Sequence, residues 1–150
     1  MPITRVVLDT NVCLDLFVFH DPRWQTILDG LIDGSMQAVT RTDCRTEWLA
    51  VLHYQHLPID DLKRPSVIAE FDRYISVSAP VSRAIPLPKC SDKDDQKFLE
   101  IARDAEVDIL MTKDKALLKL ARKIKAAALF QIMTPEAYLK QKTLMQTQIP

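Results

Sequence analysis

The sequence predicts an α/β domain of three layers, α/β/α, with a mainly parallel central sheet between two sets of helices. Three observations predict it. Short apolar, β-branched runs alternate with stretches whose apolar residues recur at helical spacing, the order that builds parallel strands joined by crossover helices. The first run, V-V-L before Asp9, is continuous rather than alternating, as in a strand buried on both faces. The chain of 150 residues is long enough for one domain with a sizeable core.

The elements follow in order. A strand is expected over residues 5–9, ending on a carboxylate. Pro22 stands near the start of a helix that places Trp24, Ile27, Leu28, Leu31 and Ile32 on one stripe and stops at Gly34. Residues 37–40 form a second strand. Thr42 or Asp43 can cap the next helix, which carries Cys44, Trp48, Val51 and Leu52 along one face. Residues 57–74 read as one or two helices interrupted around Pro65, with Val67, Ile68, Phe71 and Ile75 turned inward. A loop with Pro80, Pro86 and Pro88 surrounds a short extended piece over 83–87. A helix then runs from 92–95 to about 106, followed by a strand over 108–112, a helix over 115–125 and a strand over 129–132. A last helix, 134–140, opens on Pro135. The domain is thus expected over 1–140, with a polar, frayed tail over 141–150.

Composition removes several function classes. Apolar residues make up 47% and charged residues 27%, ordinary for a soluble globular chain. With two glycines and no G-x-x-x-x-G-K-[ST] or G-x-G-x-x-G, phosphate-loop and dinucleotide readings lose their main support. No apolar run approaches the roughly 18 residues of a membrane span, and MPITR leads into a strand without a signal-peptide core. Cys13, Cys44 and Cys90 are widely spaced and form no C-x-x-C. They are expected as buried, reduced thiols of a cytoplasmic protein, and His20, His53 and His56 suggest no catalytic partner for them.

Lys plus Arg equals Asp plus Glu at 20 each, so net charge carries no nucleic-acid signal. The distribution is uneven. Seven acids stand against four bases over residues 89–108, and six bases against Asp114 alone over 113–125. An acidic cluster beside a basic helix suits a metal site that handles a polyanion, and equally two solvated faces that attract each other.

Right-handed crossovers bring strand C-termini, and the helix starts that follow them, to one edge of a parallel sheet, where ligands of such sheets bind. Four acids are expected there. Asp9 ends the first strand, and Glu47 lies one turn into the helix after the second, on the face of Cys44, Trp48 and Val51. Asp95 shares the stripe of Phe98, Ala102 and Ala105, and Asp114 follows the strand ending at 112. Each acid alone also fits a cap, a turn or an ion pair. Together they would repel and raise one another's pKa unless a cation neutralised them. An oxygen-only ligand set favours Mg²⁺ or Mn²⁺ over zinc.

The stretches V-V-L-D9-T-N, T-E47-W-L, D95-Q-K-F-L-E-I-A and M-T-K-D114 resemble the PIN domain family of metal-dependent ribonucleases. The resemblance covers about residues 4–140 and is to the bacterial toxins of toxin–antitoxin pairs. It implies a Rossmann-like fold and an Mg²⁺ or Mn²⁺ site of Asp9, Glu47, Asp95 and Asp114. Asp9 and Asp95 would hold the ion most directly, with Glu47 and Asp114 ligating through water or orienting the attacking water. Thr10, Asn11 and Thr112 would be polar supports. Asp94 or Asp92 could share the part given to Asp95. Lys113, Lys115 and Lys119 are candidate phosphate contacts. The expected partners are single-stranded or structured RNA and a cognate antitoxin protein, with a homodimer as a further expectation.

Two rivals stand beside this reading. One is a PIN-like module that binds RNA or protein with little nuclease activity, against which the full set of four acids counts. The other is a Mg-dependent aspartyl phosphotransfer protein. A dehalogenase-type site would want a second Asp where Asn11 stands, and a receiver-type site would leave Glu47 without a role.

Overall fold

The computed structural model describes residues 2–147, with side chains to 145. Among these, five strands form one all-parallel sheet: β1 (Thr4–Leu8), β2 (Met36–Thr40), β3 (Ile75–Val77), β4 (Ile109–Met111) and β5 (Gln131–Met133), in the order β3-β2-β1-β4-β5. The chain winds outward from β1 to β3 on one side, then crosses to β4 and β5 on the other. The switch of direction falls between β1 and β4, whose register pairs Leu8 with Met111. In an open parallel sheet, the crevice beyond the strand ends at that point is the natural binding position.

Alternation along β1 explains the layers. Val6 and Leu8 face one hydrophobic core, Val7 the other, and all three are buried. The first core takes α1 (Thr10–Phe17), α2 (Gln25–Asp33) and α4 (Arg64–Tyr74). The second takes α5 (Gln96–Asp104), α6 (Lys115–Leu118) and α7 (Ala121–Ala126). Helix α3 (Thr42–Val51) reaches both, through Cys44 into the second core and Trp48 into the first. Trp48 stacks on Phe71 with ring centroids 5.0 Å apart, and Phe17 meets both rings edge-on. This cluster fixes α1, α3 and α4 against one another, and with them the backbone of Glu47 beside Trp48.

The three-layer architecture is the expected one, with local corrections. Helix α1 has no counterpart in the expected order. It begins at once after Asp9, whose side chain accepts a hydrogen bond from Thr10 N. The third strand is Ile75–Val77, not residues 83–87. I-S-V follows α4 without a turn, whereas the proline segment around 83–87 has no strand partner. That segment is strapped instead to α5, where Arg103 Nη1 donates to Ile85 O at 2.9 Å and Gln96 Nε2 to Pro88 O at 3.2 Å.

Pro65 opens α4 rather than interrupting a helix, because an N–H missing in the first turn costs nothing. Arg41, not Thr42 or Asp43, occupies the N-cap of α3. Ile32, placed by its spacing on an inward stripe, is exposed. The expected helix over 115–125 divides into α6 and α7. A short turn at Pro22–Trp24 precedes α2, which closes on Gly34 in the left-handed conformation (φ 84°). The last helix, α8 (Pro135–Thr147), outruns its expected end, so the polar residues 141–147 are helical and only 148–150 of the tail lie outside the described residues. All three cysteines are free and buried, as expected.

Candidate metal centre

Three of the four expected acids meet at the switch point. Asp9, Asp95 and Asp114 each offer a carboxylate oxygen, and these oxygens lie within 4.8 Å of one another. They come from separate elements: the end of β1, the turn opening α5 and the loop after β4.

Asp9 is 4% exposed. Its Oδ1 accepts from Thr10 N at 2.6 Å, capping α1, and its Oδ2 accepts from Thr112 Oγ1 at 2.7 Å and Asn11 Nδ2 at 3.3 Å. Thr112, fully buried, also accepts at Oγ1 from Asp114 N at 3.0 Å and so joins two members of the cluster. Asp114 caps α6 by accepting from Ala116 N at 2.9 Å. Asn11 Oδ1 accepts from Lys113 N at 3.3 Å. Thr10, Asn11 and Thr112 therefore touch the acids they were expected to support.

Asp95 differs from the other two. It is 7% exposed, makes no side-chain cap, and its buried Oδ2 has no hydrogen-bond partner among the described residues. An unpaired polar atom withdrawn from water is costly; Trp24 Nε1 and Trp48 Nε1 share that state in the core, but only the Asp95 oxygen lies beside two further carboxylates. The three acids of S-D-K-D-D are placed differently. Asp92 is exposed and caps the turn Lys93–Asp95 by accepting from Asp94 N; Asp94 is exposed; Asp95 alone of the three is buried in the cluster.

Crowding shows in the protonation states. Burial, and less strongly the charges of Glu47 and Asp114, push Asp9 up to about 6, against the lowering hydrogen bonds from Thr112 and Thr10. Burial, then the proton it can share with Asp114 and the charge of Asp9, push Asp95 up to about 8. The same shared proton and the Ala116 N–H hold Asp114 low. The two carboxyls are thus driven in opposite directions, Asp95 up and Asp114 down, as expected of like charges held close together.

Glu47 stands apart from this group of three. Its Oε2 accepts from Thr10 Oγ1, and its Oε1 receives Lys97 Nζ at 3.0 Å. It is tied to the cluster through Thr10, next in sequence to Asp9, without joining it. Three acids thus form the tight cluster, and Glu47 stands beside it, joined through Thr10. A helical register aims Cβ, but a long side chain follows its strongest partners.

Lys97 went unnoticed in the sequence, although it stands within D-Q-K-F. Asp15 was missed as well. It is buried on α1 and paired with Lys113 Nζ at 2.6 Å, so Lys113 is already engaged within the chain. Lys115 and Lys119 are exposed on and beside α6.

The donor set fits a hard divalent cation: three carboxylates, no thiolate or imidazole, and one buried oxygen without a partner. The PIN domain family model matches residues 5–116. The chain belongs to the PIN domain family. That membership points to nuclease-type chemistry supported by divalent metal ions, and the three aspartates give this PIN domain a place to bind one. No curated protein matches the chain. No helix among the described residues is long and apolar enough to cross a membrane.

Proposed function

We propose that the protein is a Mg²⁺- or Mn²⁺-dependent endonuclease of single-stranded RNA, and that Asp9, Asp95 and Asp114 hold the cation. One observation carries the reading most strongly. Carboxylates from three separate elements, two of them buried and Asp114 half-buried, converge at the sheet's switch point, and one of their oxygens has no partner among the described residues. A bound divalent cation would stabilise negative charge on a phosphodiester and make water more acidic. The chain's own residues would do the rest. Glu47, held by Thr10 and Lys97, would accept a proton from the attacking water as the bond from phosphorus to the leaving sugar oxygen breaks. Thr112 and Asn11 would keep Asp9 in place. Lys115 and Lys119 would contact flanking phosphates, while Lys113 would serve Asp15 first.

The toxin role, the cytoplasmic setting, a neutralising antitoxin and a homodimer are part of the same proposal. The toxin role and the antitoxin rest on the resemblance of the motifs to the toxin branch, and the cytoplasmic setting on the widely spaced free cysteines. The test is cleavage of labelled single-stranded and duplex RNA by purified protein with Mg²⁺ or Mn²⁺, before and after EDTA. Cation-dependent cleavage of the single strand is expected. Cleavage that survives EDTA would sink the reading. A stable aspartyl phosphate after treatment with acetyl phosphate would favour the phosphotransfer rival instead.

A further inference from the structure

Glu47 is held at both oxygens, by Thr10 on α1 and Lys97 on α5. Lys97 is itself fixed. Its Nζ also donates to the Asp94 carbonyl and lies 5.2 Å from the centre of the Phe98 ring, and the side chain is 17% exposed. The two anchors thus stand on elements flanked by Asp9 and Asp95, beside the acidic cluster. A carboxylate on a two-methylene stem beside a dication site is drawn toward the cation unless something holds it back.

We propose that Lys97 is a positioning residue that, with Thr10, holds the Glu47 carboxylate outside the three-aspartate cluster, so that Glu47 acts on water rather than as a fourth ligand. The inference rests on the cation site proposed above. Loss of Lys97 frees Oε1 and removes a positive charge, and Glu47 then turns toward the cluster. The cation binds more tightly, while the group that should take a proton becomes a ligand. Arginine at the same place keeps the charge and a donor to Oε1, so it preserves the arrangement.

The test compares Lys97→Met, Lys97→Arg, Glu47→Gln and the Lys97→Met/Glu47→Gln double variant. Lys97→Gln replaces Lys97→Met if the methionine variant does not fold. Binding of Mn²⁺ alone is followed by electron paramagnetic resonance, and kcat and KM are measured on single-stranded RNA. Lys97→Met should bind Mn²⁺ about tenfold tighter yet turn over about tenfold slower, the scale on which partners of a metal site act. KM should scarcely move, and Lys97→Arg should restore both properties. In the Glu47→Gln background, Lys97→Met should cost no further turnover, because it acts through Glu47.

Weaker Mn²⁺ binding in Lys97→Met would overturn the proposal and make Glu47 a ligand that Lys97 supports. A raised KM with additive losses would overturn it in favour of a direct contact between Lys97 and RNA. A lower melting temperature with binding and turnover unchanged would leave only a structural ion pair. A wild type that binds no Mn²⁺ brings down the cation site and this inference together. One that binds Mn²⁺ equally with and without Lys97 brings down the inference alone. If the wild type binds Mn²⁺ but cleaves no RNA, the Mn²⁺ comparison still decides.

Discussion

Asp95 and Asp104 stand at the two ends of the same helix, α5, and both side chains are largely withdrawn from water. The helix dipole favours a negative charge at the start of α5 and disfavours one at its end. The protonation states run the other way. Asp95, at the start, is pushed up to about 8 by burial and neighbouring acids. Burial raises Asp104 too, but the Arg103 guanidinium at 2.8 Å and the Arg83 N–H at 2.9 Å outweigh it, and the carboxyl ends below its ordinary value. Immediate partners decide both cases, and the dipole decides neither. The lesson concerns purpose. The fold can neutralise a buried acid on this helix, and at the sheet edge it instead sets Asp95 against two more acids. Such an arrangement is what a site looks like when its stabilising partner is a ligand.

The comparison breaks most sharply on activity. Asp9→Asn keeps the shape and the cap of α1 but removes a charge from the cluster. RNA cleavage should fall by about a hundredfold or more, the scale set by loss of one electrostatic element at a reacting centre. Asp104→Asn, at the other end of α5, should leave cleavage unchanged. Equal rates for Asp9→Asn and wild type would assign the activity to a contaminant.

Metal should separate the two ends next. At a concentration about 100 times its dissociation constant, Mn²⁺ should stabilise the wild type by about 2.7 kcal/mol through mass action. Asp104→Asn should gain as much and Asp95→Asn much less, as read from melting curves with and without the ion. Equal gains in both variants would remove Asp95 from the site.

Acidity gives a third separation. An acid with a raised pKa makes the folded state bind more protons than the unfolded one, so it weakens the fold as pH rises. For Asp95 this loss runs from its ordinary 3.8 to about 8, and for Asp9 from 3.8 to about 6. The metal-free wild type should therefore lose stability across that window. Asp95→Asn should flatten the decline and raise metal-free stability near pH 8 by about 0.5–2 kcal/mol, on the scale of one pKa unit. Denaturant titrations at pH 5 and pH 8 check this. A variant less stable than wild type at pH 8 would make Asp95 a structural acid like Asp104.

Much of this contrast was legible in the residues, though unevenly. V-V-L-D placed Asp9 at a strand end, and the Phe98, Ala102 and Ala105 stripe selected Asp95 from the three aspartates of S-D-K-D-D, because both signals are local and periodic. Helix α1 was hidden because D-T-N reads as a pause, when Asp9 in fact caps the next element. Strand β3 was hidden because three residues following a helix without a turn cannot show a period. The side-chain partnerships were out of reach. Lys97 takes Glu47 from 50 residues away and Lys113 takes Asp15 from 98, and spacing along the chain carries no sign of either.

The smallest effect belongs to the paired end. Asp104 accepts from Arg103 Nε and Arg83 N, and its folded pKa is depressed. A depressed acid contributes stability that is present above its unfolded pKa and lost as pH falls through the folded one. Asp104→Asn should thus cost about 1 kcal/mol near neutrality, the scale of a lost charged hydrogen bond partly offset by the amide that replaces it. The cost should shrink toward pH 3, where the wild-type carboxyl also becomes protonated. It should be the same with and without Mn²⁺. The slopes of Asp95→Asn and Asp104→Asn against pH then carry opposite signs on one helix. If both variants proved destabilised near neutrality by similar amounts, the acids at the two ends would be doing the same structural work, and the distinction between a site and a scaffold would fail.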